Sequence, residues 1–170
     1  MEFPSIGDAK SRQRLLDSGV LDRFTDKHGP SVVAEALAVS NLDLVRSIFA
    51  AWERGDWTSA AWAHADIEWV MADGPEPGSW TGLTGLAEGS RDFLGAWEDL
   101  RVEADECRAL DDECVLVFCR LSGRGKASGV QLDQIRAKGA FLFYVRAGRV
   151  AGMVRYLDRD RALADLGLKE

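Results

Sequence analysis

Apolar residues recur at helical spacing through Leu42, Val45, Ile48, Phe49 and Trp52, with Asn41 placed to cap the first turn and Gly55 to stop the last. The pattern predicts a helix over residues 41–55, followed by a shorter one through Trp57, Ala61 and Trp62. Ile67-Glu68-Trp69-Val70-Met71 reads as a strand, ended by Asp73-Gly74-Pro75-Glu76-Pro77-Gly78, which is too rich in turn formers for regular structure. From Thr84 to Leu100 the helical spacing returns in Leu86, Phe93, Leu94 and Trp97, although Gly89 and Gly95 each weaken a helix by roughly 1 kcal/mol relative to Ala.

After Leu100 the period becomes strand-like. Arg101 to Ala109, Cys114 to Ser122, Val130 to Val145 and Val150 to Leu157 are separated by Asp111-Asp112, a Gly123/Gly125/Gly129 segment and Ala147-Gly148. These four segments predict an antiparallel meander, and three helices ahead of it predict an α+β domain whose curved sheet and helices enclose an apolar pocket. Residues 1–40 have a different texture, broken at Gly7, Gly19 and Gly29-Pro30, and are read as a peripheral extension of a domain at 41–168.

Length and composition narrow the function classes. A chain of 170 residues with 46% hydrophobic and 29% charged residues fits one domain, able to bury roughly two thirds of its unfolded surface. The net charge of -7 repels phosphate backbones and anionic membranes, so neither nucleic acid nor a membrane is an expected partner. Arg120, Arg124, Lys126, Arg136 and Lys138 are read as strand-edge charges. Cys107, Cys114 and Cys119 carry no CxxC spacing, and with His28 and His64 they write no zinc signature; no metal and no cofactor is expected. Without an apolar run of membrane-spanning length or a secretory leader pattern, a cytoplasmic, reducing location is expected.

Asn41-Leu42-Asp43-Leu44-Val45-Arg46, Trp52-Glu53-Arg54-Gly55-Asp56-Trp57 and His64-Ala65-Asp66-Ile67-Glu68-Trp69 resemble, in that order, the opening of SnoaL-like domains of the nuclear transport factor 2-like superfamily. Ser79-Trp80-Thr81-Gly82, Ser122-Gly123-Arg124-Gly125-Lys126, Val145-Arg146-Ala147-Gly148-Arg149-Val150 and Tyr156-Leu157-Asp158-Arg159 extend the resemblance over about residues 41–168. The resemblance implies a cone-shaped α+β fold around an apolar pocket. It does not fix a reaction, because the superfamily includes polyketide cyclases, ketosteroid isomerases, dehydratases and epoxide hydrolases.

The resemblance to ketosteroid isomerases puts the proton-shuttling carboxylate at Met71 or Ala72, the oxyanion Tyr at Ile48 and the neutral acid near Ala140, and none of these side chains can perform the role. In SnoaL-type polyketide cyclases an acid/base carboxylate stands seven residues before the hairpin glycine; counting back from Gly148 gives Phe141. The Asp-Arg-Asp set of the epoxide hydrolases is not recoverable around Arg120 and Arg136. Asp73 is the candidate base, lying one or two residues past the isomerase position, although Asp beside Gly74-Pro75 is more often a turn former. His64 reads as a cap or surface residue rather than a base.

The expected pocket is lined by Ile48, Trp52, Trp69, Met71, Trp80, Phe93, Trp97, Phe141 and Phe143, the last two sharing a strand face because they are two apart. Arg120, in the otherwise apolar Cys114–Leu121 run, is the expected charged group. It either meets a ligand carboxylate or enolate or pairs with an acid such as Asp133, and the cost of a lone buried charge favours the pair. Such a pocket suits a small hydrophobic or aromatic molecule, for isomerase, cyclase or hydratase chemistry, or for carriage or sensing without catalysis; a protein-interaction module is the remaining class. Phe141-Leu142-Phe143-Tyr144-Val145 is apolar at every position, so a homodimer is expected to cover its second face. Two outcomes follow. Removal of residues 1–38 should leave a cooperative thermal transition within a few degrees of the full chain, and complete loss of folding would place the extension in the core. Sedimentation velocity at micromolar concentration should show a dimer, and a monomer would remove the expectation.

Overall fold

The structure is a computed structural model in which residues 32–74, 77–131 and 137–169 are described. The elements are α1 (Val32–Glu53), β1 (Ala63–Met71), β2 (Gly78–Thr81), α2 (Gly82–Gly95), β3 (Trp97–Ala109), β4 (Cys114–Gly125), β5 (Lys138–Arg146), β6 (Arg149–Tyr156) and α3 (Arg159–Leu166). They form an α+β domain with a six-stranded sheet in the order β2-β1-β6-β5-β4-β3. Among the described strands only the β1–β6 pair is parallel. Irregularities in the β1–β6, β3–β4 and β5–β6 pairs bend the strands, as bulges do. Among the described residues no helix is long and apolar enough to cross a membrane.

Two apolar clusters occupy the two faces of the sheet. On the inner face Val45, Ile48, Phe49 and Trp52 of α1 and Leu86 of α2 pack against Ile67, Trp69 and Met71 of β1, Val117 of β4, Phe141 and Phe143 of β5, and Met153 of β6. On the outer face Leu116, Phe118, Ala140, Leu142, Tyr144, Val154 and Tyr156 pack with Ala162, Leu163 and Leu166 of α3. Burial on both faces explains why β4 and β5 read as unbroken apolar runs. The cover that the sequence led us to expect from a second copy is supplied along part of this face by α3.

The helices differ from expectation in four places. α1 does not begin at Asn41 but runs back to Val32. Asn41 lies inside it, 6% exposed, and its Nδ2 donates to the Asp112 carbonyl at 2.8 Å, tying α1 to the β3–β4 turn. The extension expected over residues 1–40 falls outside the described residues up to residue 31. The second predicted helix is absent: residues 56–62 form an irregular loop, in which Asp56 Oδ1 accepts from the Thr58 and Ser59 N–H groups at 3.2 Å each. Trp57 stacks on Trp52 at 5.4 Å and Trp62 meets it edge-on at 6.1 Å, so aromatic docking overrides local helix preference there. The third helix is α3 instead, capped by the Asp158 carboxylate accepting from Asp160 N at 2.9 Å and closed by Gly167 at φ 65°.

α2 ends at Gly95, and Trp97 opens β3 opposite Gly125 rather than continuing a helix. Of the four glycines in α2, Gly89 sits closest against the sheet's side chains. A Cβ on Gly89 would lie 2.7 Å from Trp69 Cζ3 and 2.8 Å from Trp80 Cδ2, so the residue that weakens the helix lets it approach the sheet's indoles. The β5–β6 hairpin turns through Ala147 (φ 51°) and Gly148 (φ 74°), both left-handed as a type I′ turn requires.

Candidate functional site: an aromatic cavity beside a buried arginine

A cavity of about 600 Å³ opens between the 56–62 loop, α2 and the inner face of the sheet. Its walls carry Trp52, Trp57, Trp62, Trp69, Phe93 and Phe141, with Leu83, Leu86, Leu94 and Met153 between them; Thr58, Ser59, Ser90, Arg91 and Arg155 are its polar side chains. The rings brace one another: Trp52 lies 5.0 Å from Phe49 and 5.5 Å from Phe141, and Trp69 lies 5.3 Å from Trp80. The Trp69 indole nitrogen is shielded from solvent and has no hydrogen-bond partner.

Of the residues expected to line the pocket, the structure brings Trp52, Trp69, Phe93 and Phe141 together around this cavity. Ile48 and Phe143 are in the solid core beneath it, 2% and 0% exposed. Met71, Trp97 and the candidate base Asp73 line a smaller neighbouring cavity of about 220 Å³, which also touches Phe93 and Arg155. Trp80 stands behind Trp69 and lines neither cavity.

Arg120, the expected charged group, does not line the aromatic cavity; it is paired with acids, Asp105 and Glu103, the alternative favoured by the cost of a lone charge. Its side chain is 60% exposed on the outer face, where Nε donates to Asp105 Oδ1 at 2.6 Å and Nη2 lies 3.3 Å from Glu103 Oε2. These two acids hold its pKa up. The alternative partner Asp133 and the edge residue Arg136 lie outside the described residues. The reason for the outward placement is register: β4 pairs Val117 with Phe141, so residues 117, 119 and 121 share the inner face and Arg120 shares the outer one with Phe118.

Asp73 makes long-range contacts rather than local ones. Its Oδ1 accepts from Leu157 N–H at 2.6 Å and its Oδ2 from Asp158 N–H at 3.1 Å, fastening the end of β1 to the start of α3. His64 lies in β1, outside the cavity, with Nδ1 accepting from Asp66 N–H at 3.1 Å. Burial pushes the Cys119 thiol up to about 12, so it stays neutral and unreactive at pH 7. Among the described residues no three His, Cys, Asp or Glu side chains converge as a metal site would require.

Sequence reasoning missed Arg155. It lies on β6 directly across from Phe141 and borders both cavities while being only 3% exposed. Its guanidinium carbon lies 3.6 Å from the Phe93 ring centroid, Nη1 is 2.9 Å from Met71 Sδ, and Nε has no hydrogen-bond partner. Burial lowers its pKa to about 10, against the opposing field of Asp73, so it remains a cation at neutral pH. The signal that could have revealed it is hairpin parity, but a simple Ala147-Gly148 turn would have paired Phe141 with Val154. The observed register slips between Tyr144 and Val145, leaving Ala151 extra and bringing Arg155 to the inner face.

A six-stranded curved sheet with helices enclosing an aromatic cavity defines a protein of the nuclear transport factor 2-like fold. The family model of the SnoaL-like domain matches residues 45–153, and the chain belongs to that family. Among solved structures, Bal32a from a soil-derived mobile gene cassette is 19% identical, with a TM-score of 0.61 over 71% of this chain and 90% of its own. A nuclear transport factor 2-like protein of unknown function from Burkholderia pseudomallei is 18% identical, with a TM-score of 0.61 over 75% and 97%. A protein with a ketosteroid isomerase-like fold from Catenulispora acidiphila, in complex with trimethylamine, is 19% identical, with a TM-score of 0.55 over 74% and 93%. These likenesses establish the fold. No curated protein matches the sequence significantly.

The two hydrogen bonds at Asp73 predict that Asp73→Ala lowers stability by about 1–3 kcal/mol, since two backbone N–H groups lose a charged acceptor. Urea unfolding checks this, and a change below about 0.5 kcal/mol would show that the fastening contributes nothing.

Proposed function

We propose that the chain binds a flat, largely apolar small molecule in the aromatic cavity and holds it without a resident proton shuttle. The observation that carries this reading is the lining itself: four indoles and two phenyl rings, with no Asp, Glu, His, Cys or Tyr among the described residues of the wall. A volume of about 600 Å³ falls within the ordinary range for small-molecule sites, roughly 300–1,000 Å³. Apolar burial at roughly 25 cal/mol per Å² supplies the affinity, and the few polar groups set orientation.

The catalytic alternative is isomerase-, cyclase- or hydratase-type chemistry with Asp73 as base. It draws support from the smaller cavity, where Asp73 shares Phe93 and Arg155 with the main one. Against it, both Asp73 oxygens already accept backbone hydrogen bonds, and the charged form is the better acceptor. Carriage or sensing is therefore the better supported role.

Binding of the neutral dye N-phenyl-1-naphthylamine, followed by its fluorescence, tests the reading. Trp62→Ala and Trp69→Ala are each expected to weaken binding by about tenfold, from the loss of one indole wall, with circular dichroism unchanged. Trp97→Ala, on the smaller cavity, should change it little. Equal affinity in the wild type and the first two variants would show that the ligand lies elsewhere.

A further inference from the structure

Among the described residues Arg155 is the only charged side chain that is buried. The contacts that hold it are those of a cation placed without a counter-ion. One face lies on Phe93, Nη1 meets a thioether sulfur, and Nε is unsatisfied. Asp73, the acid whose field reaches it, forms no ion pair with it and directs both oxygens at backbone N–H groups. Nearly all buried arginines are paired, because a guanidinium offers five donors in a fixed fork that matches a carboxylate. Here Arg155 borders a cavity lined mainly by aromatic and aliphatic side chains.

We propose that the ligand of this cavity is an anion, a flat aromatic molecule bearing one ionised oxygen acid, carboxylate or phenolate, that sets its charged oxygen against Arg155. The proposal rests on the aromatic-ligand reading above and adds the charge of the ligand. The cavity's other cation, Arg91 on α2, is exposed, so water and salt screen it. Arg155 is shielded from both, and a charge-assisted hydrogen bond formed there is stronger than one at the surface. The chain's overall charge of -7 disfavours anions at long range, so small inorganic anions, with no ring to bury, are not retained. Ring and charge are required together.

The test compares 2-naphthoate with 2-naphthamide, nearly identical in shape and differing in charge, by tryptophan fluorescence titration at pH 7.5. Wild-type protein is expected to bind the naphthoate at least about tenfold more tightly, the scale of one charge-assisted hydrogen bond. Arg155→Gln should erase the difference while keeping naphthamide binding. A crystal structure of the naphthoate complex, which needs no variant, should place the carboxylate on the Arg155 guanidinium, and it decides the matter should the variant fail to fold. Equal binding of the two probes overturns the anion proposal and leaves the aromatic reading standing. A preference that survives in folded Arg155→Gln, or a carboxylate found on Arg91 or in solvent, overturns it likewise. Binding of neither naphthalene nor the neutral dye removes the aromatic reading and the proposal with it.

Discussion

One extra residue in β6 decides which groups face the cavity. Across the β5–β6 hairpin Arg146 pairs with Arg149 and Val145 with Val150, and then the register slips so that Tyr144 meets Gly152. Because side chains alternate with a period of two, the slip exchanges the faces of every later residue in the strand. Val150 and Met153, three apart, therefore both join the inner cluster, and Tyr156 and Val154 join the outer one. Had the hairpin run without a bulge, Arg155 would lie among Leu116, Phe118 and Leu142, where α3 now packs, and Tyr156 would point into the cavity. The bulge thus settles the outer core, the docking of α3 and the polarity of the site.

The inward arginine carries an energetic cost. Removing a guanidinium from water costs several kcal/mol unless partners replace the hydration. A desolvated cation over an aromatic ring contributes about 2 kcal/mol, a sulfur contact less, and Asp73 acts only through its field. The fall of the Arg155 pKa to about 10 expresses the same imbalance. An apolar residue at this position would pack on Phe93 and Met71 without that cost. A charge kept at the expense of stability points to a role in the site rather than in the fold.

Much of the fold was legible in local pattern. Ile48, Phe49 and Trp52 recur at helical spacing and do face the core, and the meander's order follows from its turn residues. Local pattern fails where distant contacts overrule it. Asn41 has a cap's chemistry, yet its partner is the Asp112 carbonyl, 71 residues away. Residues 57–62 contain a plausible helical spacing, but Trp57 and Trp62 are held by Trp52. Trp97 follows a helical period only if Gly95 is read through. For α3 the local signals do stand in the sequence, with Asp158 as the N-cap ahead of Asp160 and Gly167 at the end. At the site, ring-bearing positions were legible because large aromatics mark inner faces. Arg120 and Arg155 were not, because each depends on the register of a partner strand, and for Arg155 on a bulge that no single residue announces.

The cross-strand pairing of Phe141 with Arg155 bears on what residue 141 can do in the cavity. Directly paired side chains on one sheet face stand about 4.5–5.5 Å apart at Cβ. The resemblance to SnoaL-type polyketide cyclases puts their acid/base carboxylate at the position of Phe141. In this chain a carboxylate there would meet the Arg155 guanidinium, and an adjacent cation lowers a carboxyl pKa by roughly 1–3 units. The pair would be an ion pair, with the acid too weak a base for proton abstraction and the arginine no longer open to a ligand. A proton shuttle at 141 and an unpartnered cation at 155 are therefore alternatives. With Phe141 this chain takes the second, in which the ring adds a wall to the cavity and leaves the guanidinium's charge uncompensated by protein.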